Sequence, residues 1–389
     1  MKPLRRLLPL SLVLSAACVA PAEKDFSAPL PPGAPALIEH DGEWPDLASQ
    51  WRERDDLLPA LERSIQWTDR EYARNFFPRE GITHARSLDS LLRFRELLVE
   101  AHDARAFERA VQREFQLYKS AGWDGRGGGV LYTGYCTPIL EGSLTASAEY
   151  AHPLYALPED LVKGPDGSIR GRDTGYGVEP YPPRRAIEAS SMLAGKGLEL
   201  VWLREPIDAF LAHVNGSAFV RLPDGSMARF GYAGNNGREY TSLGKELVAA
   251  GHLEHGEVSI PTIRRWAADN PGLVQEFLDR NERYVFFTPI EGNPRGSLNV
   301  EVTAGRTLAL DKDLFPKGAL CYVDTHLPGA ELLDGEEYHR VALNQDTGGA
   351  IDSAGRADLY LGIGDRAEQL AGTTRVEGQL YFLFLRDDR

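Results

Sequence analysis

The sequence predicts a mainly β fold with a helical portion near its N-terminus. The 389 residues include 39 Gly and 25 Pro, a frequency of turn formers that suits short strands better than a helical bundle. Apolar residues recur at helical spacing in a continuous block between about residues 56 and 122. Behind that block, short β-like runs follow one another without the regular strand–helix alternation of a doubly wound sheet or a TIM barrel.

The helical block divides into three segments. "DDLLPALERSIQW" carries leucine and isoleucine at spacings of three and four, and "SLDSLLRFRELLVEAH" begins at Ser87 with a plausible cap. "RAFERAVQREFQLYKSAG" continues the helical pattern through Phe115 and Tyr118 and stops at Gly122. We expect these apolar stripes to pack in a core.

Glycine-rich and strand-like segments follow. "GRGGGVLYTGYC" lacks the Gly-Lys-Ser/Thr of a phosphate loop and has no dinucleotide-binding pattern. "AFVRLPDGSMARFGYAG" predicts a hairpin around Pro223-Asp224-Gly225. Helices are predicted at "RRAIEASSML" and "PTIRRWAADNPGLVQEFLDRN". The remaining strand predictions are "RYVFFTP", "RTLALD", "ALCYVDT", "HRVALNQDTGG" and "GQLYFLFL".

Composition excludes several classes of partner. The apolar content of 42% and the charged content of 26% are those of a globular protein, and the length allows two domains. The net charge of -14 argues against a nucleic-acid partner. The nine His are scattered and no Cys/His cluster has zinc spacing. We therefore predict no metal site and no cofactor.

The N-terminus resembles a bacterial export signal. A basic segment precedes an apolar stretch that is too short to span a bilayer, so residues 1–17 are predicted to be a signal peptide. Cys18 follows Ser-Ala-Ala, as in a lipobox, which predicts lipidation at Cys18. A plain secretory signal is the alternative. The Pro/Ala-rich residues 18–40 are then a tether.

Two further cysteines remain, Cys136 and Cys321. In an oxidising compartment they can pair as a disulfide, or each can be a buried single thiol. Both alternatives stay open at the level of the sequence.

Six segments occur in an order that resembles one known family. They are "LYTGYCTPIL", "YPPRRAIEAS", "ELVWLREPIDAFLAHVNGSAFVRLPDGS", "GYAGNNGREYTSLGK", "YVFFTP" and "NQDTGGAID…ADLYLGIG". Together they resemble the membrane-bound lytic murein transglycosylase A family, whose C-terminal module is called the 3D domain. The resemblance covers nearly the whole chain after about residue 50.

The resemblance implies a two-domain architecture. Residues 41–138 and 288–389 would form a double-psi β-barrel with the N-terminal helices, and residues 139–287 would form a smaller inserted β-rich domain. The active groove would lie between the two domains, where ligand clefts commonly form. The implied partner is the glycan strand of peptidoglycan. The implied location is the periplasm, with a lipid anchor in the outer membrane.

The resemblance also implies the reaction and its acid. The family cleaves the β-1,4 bond between N-acetylmuramic acid and N-acetylglucosamine, and the C6 hydroxyl of the muramoyl residue attacks its own C1. Its catalytic Asp corresponds to Asp358, and an earlier Asp of the family corresponds to Asp346. From spacing alone, an Asp next to Gly is most often a turn residue. Where the family often has Lys or Arg, this chain has Asp352.

Other positions are expected near the groove with lower support. The candidates for substrate binding are Thr133, Tyr135, Asn215, Ser217, Tyr232 and Asn235. The alternative for each is an ordinary strand or turn role. Trp202 and Trp266 are predicted to lie in the core.

A single carboxyl is sufficient for this chemistry because the nucleophile belongs to the substrate. The acid must carry a proton when substrate binds, which shielding from water favours. We expect Ala357, Leu359 and Tyr360 to shield Asp358. Asp346 either adds a like charge, steadies the positive charge that grows at C1, or locks its loop by hydrogen bonding to the backbone. Two rival functions are a hydrolase that uses Asp346 as a second carboxylate and a wall-binding module without turnover.

Overall fold

The structure is a computed structural model of the 389-residue chain. It describes residues 24–164, 168–254, 258–328, 337–349 and 351–387. The predicted signal peptide and Cys18 lie outside the described residues. The following paragraphs concern the described residues alone.

Most of the helices are short, and the first four lie before residue 115. They are α1 (Ala48–Arg52), α2 (Arg54–Thr68), α3 (His84–Glu100), α4 (Ala104–Glu114), α5 (Arg184–Ala189), α6 (Pro206–Asn215), α7 (Leu243–Ala249), α8 (Ile260–Asp269), α9 (Val274–Asp279) and α10 (Asp365–Thr373). Among the described residues, no helix has the length and apolar character needed to cross a membrane.

Two helix predictions were wrong at their ends. α3 begins at His84, one turn before Ser87, because the Thr83 side chain caps it by accepting a hydrogen bond from the Arg86 backbone N–H. The third predicted helix ends at Glu114, and the chain continues as a strand over Phe115–Ser120. An apolar residue such as Phe115 fits either pattern locally, and pairing with two neighbouring strands favours the extended form.

Strands make up most of the remaining regular structure. They are β1 (Leu37–Glu39), β2 (Phe115–Ser120), β3 (Val130–Thr137), β4 (Ile139–Ser143), β5 (His152–Tyr155), β6 (Leu161–Lys163), β7 (Ile169–Asp173), β8 (Val178–Glu179), β9 (Glu199–Leu203), β10 (Ser217–Arg221), β11 (Met227–Asn235), β12 (Val285–Pro289), β13 (Thr307–Ala309), β14 (Leu320–His326), β15 (Glu337–Asp346), β16 (Arg356–Ile363) and β17 (Arg375–Leu385).

The main sheet closes into a six-stranded barrel. Its strand order is β17-β14-β15-β13-β16-β3, and β3 pairs with β17 to complete the ring. The pairs β13–β15 and β3–β16 are parallel, and the others are antiparallel. Apolar side chains such as Val323, Leu359 and Phe382 fill the barrel interior. α2, α3 and α4 cover part of its outer surface through a second apolar cluster.

The predicted tether over residues 18–40 extends too far. Leu37–Glu39 form β1, which pairs with β2 at the edge of the barrel sheet. Ala36 and Leu37 are buried in the barrel core. The Lys24 ammonium also lies 2.6 Å from a carboxylate oxygen of Glu377 on β17. The described part of this segment is therefore packed on the barrel.

A second sheet is built from the middle of the chain. Its order is β12-β11-β10-β4-β9-β5. The chain passes into it at Pro138, between β3 and β4, and leaves it after β12. β10 and β11 form the predicted hairpin, with the turn at Pro223-Asp224-Gly225. α6 to α9 pack beside this sheet around a separate apolar cluster that includes Trp266.

The structure decides the predictions for the two cysteines and the two tryptophans. Cys136 and Cys321 are both free and buried, so the disulfide alternative was wrong and the alternative of single thiols was right. Burial raises the pKa of the Cys136 thiol to about 12, which makes it a poor nucleophile. Trp266 is buried as expected, whereas Trp202 is only half-buried.

Candidate active site

Four residues of neighbouring barrel strands lie in one register row. Thr133 on β3 is paired with Asp358 on β16, Asp358 with Ala309 on β13, and Ala309 with Asp346 on β15. Neighbouring strands are about 4.8 Å apart, so the backbones of the two aspartates are separated by about 10 Å. The barrel thus brings together two carboxylates that β16 and β15 carry separately.

The alternation of β16 decides which way Asp358 points. Ala357, Leu359 and Leu361 are buried in the barrel interior, so Arg356, Asp358 and Tyr360 project from the opposite, outer face. The expectation that Ala357 and Leu359 shield Asp358 was therefore wrong, since side chains at odd and even positions of a strand occupy different faces.

Asp358 is held by two side chains on that outer face. The Thr133 hydroxyl donates a hydrogen bond to Oδ1. The Arg356 Nη2 lies 3.4 Å from the same oxygen and 3.2 Å from the Thr133 Oγ1. The Asp358 side chain is 24% exposed to solvent. One carboxylate oxygen is thus fixed by Thr133 and Arg356, while the group keeps a route to solvent and to a ligand.

Asp346 has a different environment at the end of β15. Its Oδ1 accepts hydrogen bonds of 2.8 Å from the backbone N–H of Ser297 and of Thr347, and its Oδ2 accepts one of 2.8 Å from the Tyr135 hydroxyl. Burial raises the pKa of Asp346, and these hydrogen bonds oppose that shift. Asp346 therefore joins β3, β15 and the loop that contains Ser297.

Two glycines allow close packing around the pair. A side chain at Gly296 would lie 2.7 Å from the Gln345 carbonyl oxygen and 3.2 Å from the Asp346 Cβ, so the loop before Ser297 approaches β15 only with glycine there. A side chain at Gly134 would lie 2.8 Å from the Ala371 Cα in α10. Both contacts fix the surroundings of the aspartates.

Tyr135 and Thr133, both on β3, are hydrogen-bond donors to the two aspartates. They are two positions apart and so share a face, and each donates a hydrogen bond to one of the two aspartates. Burial, followed by the Asp346 charge, raises the pKa of Tyr135 well above its ordinary value. Its hydroxyl therefore stays protonated and remains a donor to Asp346.

A large cavity lies directly beside this row. Its volume is about 1500 Å³. Thr133, Tyr135 and Arg356 line it on the barrel side, and residues of α7 and α8, including Lys245 and Arg265, line it on the opposite side. We call it the groove. It runs between the barrel and the helices beside the second sheet.

The other predicted substrate-binding residues are dispersed. Asn215 is exposed at the end of α6 and lines the groove with Thr133 and Tyr135. Ser217 is buried at the start of β10. Tyr232 is 51% exposed, and its hydroxyl accepts a hydrogen bond from the amide of the buried Asn235. Ser217, Tyr232 and Asn235 do not line the groove.

Asn235 has a local structural task. Its Oδ1 accepts a 2.7 Å hydrogen bond from the Gly237 backbone N–H, which closes an Asx turn. Because its side-chain amide also donates to Tyr232, both of its polar ends are used within the turn.

Arg356 is a site residue that the sequence interpretation missed. It lies two positions before Asp358, and period two along β16 places both on the same face. Its Nε is buried and has no hydrogen-bond partner among the described residues. Asp352, which stands where the resemblance implied a cation, is exposed and also lines the groove. Arg356 therefore supplies a positive charge beside Asp358.

Comparisons with known proteins show the family to which the chain belongs. The MltA specific insert domain matches residues 131–288, and the 3D domain matches residues 306–384. The membrane-bound lytic murein transglycosylase A of Vibrio cholerae is 31% identical over 264 residues, which are 67% of this chain and 67% of that protein. The chain belongs to the membrane-bound lytic murein transglycosylase A family.

Solved structures of this family share the fold. A membrane-bound lytic murein transglycosylase from Agrobacterium tumefaciens is 29% identical, with a TM-score of 0.73 over 90% of this chain and 98% of that one. Escherichia coli MltA, solved with bound chitohexaose, is 23% identical, with a TM-score of 0.65 over 93% and 96% of the two chains. At 23% identity, this second likeness shows the fold alone.

The two matched segments of this lytic transglycosylase family meet at the register row of Thr133, Asp358, Ala309 and Asp346, which we call the aspartate row. Thr133 belongs to the segment matched by the insert domain, and Asp358 to the segment matched by the 3D domain. The hydrogen bond between them therefore joins the two parts of the family's sequence.

Proposed function

We propose that this protein is a lytic transglycosylase of peptidoglycan, in which Asp358 is the general acid and base. It cleaves the β-1,4 bond between N-acetylmuramic acid and N-acetylglucosamine and leaves a 1,6-anhydro end on the muramoyl residue. The observation that carries the proposal is a partly exposed carboxylate whose two hydrogen-bonding neighbours, Thr133 and Arg356, line the groove. Membership of a family named for this activity supports it.

The chemistry requires one proton to be given and one to be taken. In its acid form Asp358 protonates the glycosidic oxygen as the bond to C1 breaks. As a carboxylate it then accepts the proton of the C6 hydroxyl, whose oxygen forms the new bond to C1. Because the hydroxyl and C1 belong to the same sugar, no water and no second nucleophile are needed.

The neighbours of Asp358 orient this carboxyl. Thr133 and Arg356 contact the same oxygen, Oδ1, which leaves Oδ2 to exchange the proton. Arg356 also stabilises the carboxylate that forms after protonation of the leaving group.

Asp346 is proposed to position the site. Two backbone N–H groups and the Tyr135 hydroxyl occupy its oxygens, so it fixes the loop that borders the row. Any negative charge it carries also favours the positive charge that develops at C1.

The same proposal covers architecture and location. Residues 41–138 and 288–389 form a double-psi β-barrel domain, and residues 139–287 form the inserted domain that completes the groove. Cys18 carries a lipid that anchors the protein to the outer membrane, facing the periplasm. The descriptor "membrane-bound" in the names of its relatives supports an anchor.

Mass spectrometry of digested peptidoglycan tests the proposal. Purified protein incubated with sacculi should release muropeptides with 1,6-anhydromuramoyl ends, each lighter by one water than the reducing product. Asp358→Asn should release none and still sediment with sacculi. Absence of release by the wild-type protein would instead favour a wall-binding module.

A hydrolase that uses both aspartates is the second candidate. The observation in its favour is the register row, which places two carboxylates on strands about 10 Å apart. Inverting glycosidases hold their carboxyl groups about 6.5–9.5 Å apart to admit a water. Products with reducing ends in the same experiment would support this candidate.

A further inference from the structure

A second cavity lies among residues of the middle of the chain. Its volume is about 580 Å³, within the range of small-molecule sites. It is bordered by β5, α5, β9, α6 and α9, and it shares no lining residue with the groove. We call it the His213 cavity, after a buried residue of its lining.

The hydrogen bonding of His213 defines its tautomer. His213 is 5% exposed, and its Nδ1 lies 2.9 Å from the Arg184 Nη2. A guanidinium nitrogen only donates, so Nδ1 accepts and the proton of the neutral ring is on Nε2. Burial and the Arg184 charge lower the pKa of His213 well below its ordinary value, which keeps the ring neutral.

The resulting Nε2–H donor is not satisfied by the protein. Nε2 is buried and has no hydrogen-bond partner among the described residues. A buried donor without an acceptor is unfavourable. Tyr284 and Phe287 pack against the ring. Nε2 itself is covered by these surroundings, and His213 contributes other atoms to the cavity wall.

Arg184 does not provide a site for an anion. Its guanidinium donates to the Asn281 carbonyl, to the Glu188 carboxylate, to the Arg283 carbonyl and to His213. Its nitrogens are thus committed to protein acceptors, although its side chain is 2% exposed and lines the cavity.

The rest of the lining also favours an uncharged ligand. Arg185 is a largely exposed cation at the rim, 3.9 Å from Asp279. Glu188, Glu199 and Asp279 place carboxylates on the lining, which repel anions and accept hydrogen bonds from hydroxyl groups.

Aromatic side chains form much of the remaining wall. Tyr155, Trp202, Phe210 and Tyr284 line the cavity. Trp202 is half-buried, and Trp rings offer a flat apolar face beside a polar edge. The C–H face of a pyranose ring fits such a surface, while its hydroxyls and an acetamido N–H meet the polar groups.

We propose that the His213 cavity binds an uncharged N-acetylated sugar unit. Its ring lies against Trp202, and its acetamido N–H and hydroxyls donate hydrogen bonds to carboxylates of the lining such as Glu188 and Glu199. The cavity would hold a glycan at a second point, apart from the groove. The identity of that glycan as peptidoglycan rests on the proposed function, whereas binding of the sugar does not.

Fluorine NMR of the full chain tests the proposal. The six Trp are labelled as 5-fluorotryptophan, and Trp202→Phe assigns the Trp202 resonance. Titration with N,N′-diacetylchitobiose should shift that resonance saturably, in the wild type and equally in Asp358→Asn. A Trp202 resonance that does not respond at millimolar sugar would overturn the proposal.

Two variants make the result specific to the cavity. Ala194 is exposed and lines the cavity, so Ala194→Trp narrows the opening without disturbing a buried residue; the affinity reported by Trp202 should fall at least tenfold. Tyr176→Ala removes an exposed aromatic outside the cavity and should bind like the wild type. Equal affinity in Ala194→Trp would contradict the proposal. Muropeptide release by the wild type reports separately on the proposed function.

Discussion

The two ends of the aspartate row differ in what surrounds the carboxylate. At the β15 end, Asp346 accepts three hydrogen bonds, two of them from backbone N–H groups, and burial raises its pKa. At the β16 end, Asp358 is held through one oxygen by Thr133 and Arg356 and is 24% exposed to solvent. The first arrangement immobilises the chain, and the second leaves an oxygen available for chemistry.

The difference between Asp346 and Asp358 shows that proximity to a groove does not by itself define a catalytic acid. A carboxylate whose oxygens are all occupied by protein donors can exchange a proton with a ligand only after losing a contact. Asp358 needs no such rearrangement. The comparison therefore supports the proposal that Asp358 transfers the proton and Asp346 positions the site, and the following variants separate the two tasks.

The largest effect is expected from Asp358→Asn. An amide cannot donate and accept the proton as a carboxyl does, so muropeptide release should fall by about 10²–10⁴-fold. Asp346→Asn keeps an oxygen acceptor and should lose less. The measurement is the rate of release from sacculi.

The matched control for that comparison is Asp365→Asn, which changes an exposed acid at the start of α10 and should retain wild-type release. The division of tasks is wrong if Asp346→Asn loses more activity than Asp358→Asn.

Arg356→Gln should have the next largest effect. It removes the charged contact to Asp358 Oδ1, and misplacing a reacting group costs about tenfold to a hundredfold in rate. Arg356→Lys keeps the charge and should recover part of the loss. kcat, KM and the pH profile on a soluble glycan are measured; a change in KM alone, with the pH profile unmoved, would show that Arg356 acts only in binding.

Tyr135→Phe should reduce stability by about 1–3 kcal/mol, because it removes a donor to the buried Asp346 carboxylate. The free energy of unfolding is measured by urea denaturation. Tyr176→Phe, at a fully exposed tyrosine, is the control and should unfold like the wild type. Equal stability of the two variants would mean that the hydroxyl contact adds nothing.

The smallest effect is a pH dependence at Asp346. Because its pKa in the folded state is raised, the folded protein binds this proton more tightly than the unfolded chain. The resulting stabilisation is complete below about pH 4, the ordinary Asp value, and is lost as pH rises through the folded pKa. Relative to Asp346→Asn, the wild type should thus become less stable over that interval in urea denaturation; an opposite slope would exclude a raised pKa.

The sequence predicts much of the chain that carries this row. The hairpin of β10 and β11 follows from local pattern, and the resemblance carried by "ADLYLGIG" singles out Asp358 as the candidate acid. The face occupied by Arg356 was also available from period two and was overlooked. Local pattern did not place the end of α4 at Glu114, since the apolar spacing around Phe115 fits either a helix or a strand and the choice depends on pairing with β1 and β17.

The hydrogen-bond donors to Asp346 could not be predicted from the sequence. Ser297 is 49 residues away along the chain and Tyr135 is 211 residues away. Their contacts depend on the closing of the barrel and on the glycine that lets the loop approach β15. The Asx turn at Asn235 is the opposite case: a local turn signal explained the residue, and the resemblance had suggested a sugar contact.

The pairing of β3 with β16 and β17 has a consequence for when the site can first be assembled. Thr133 meets Asp358 across a sequence separation of 225, and the ring is closed only by the strand that ends at Leu385. A truncated polypeptide that lacks this last strand cannot close the barrel that carries the two aspartates. The scaffold of the site is therefore complete only when the whole of β17 has been made.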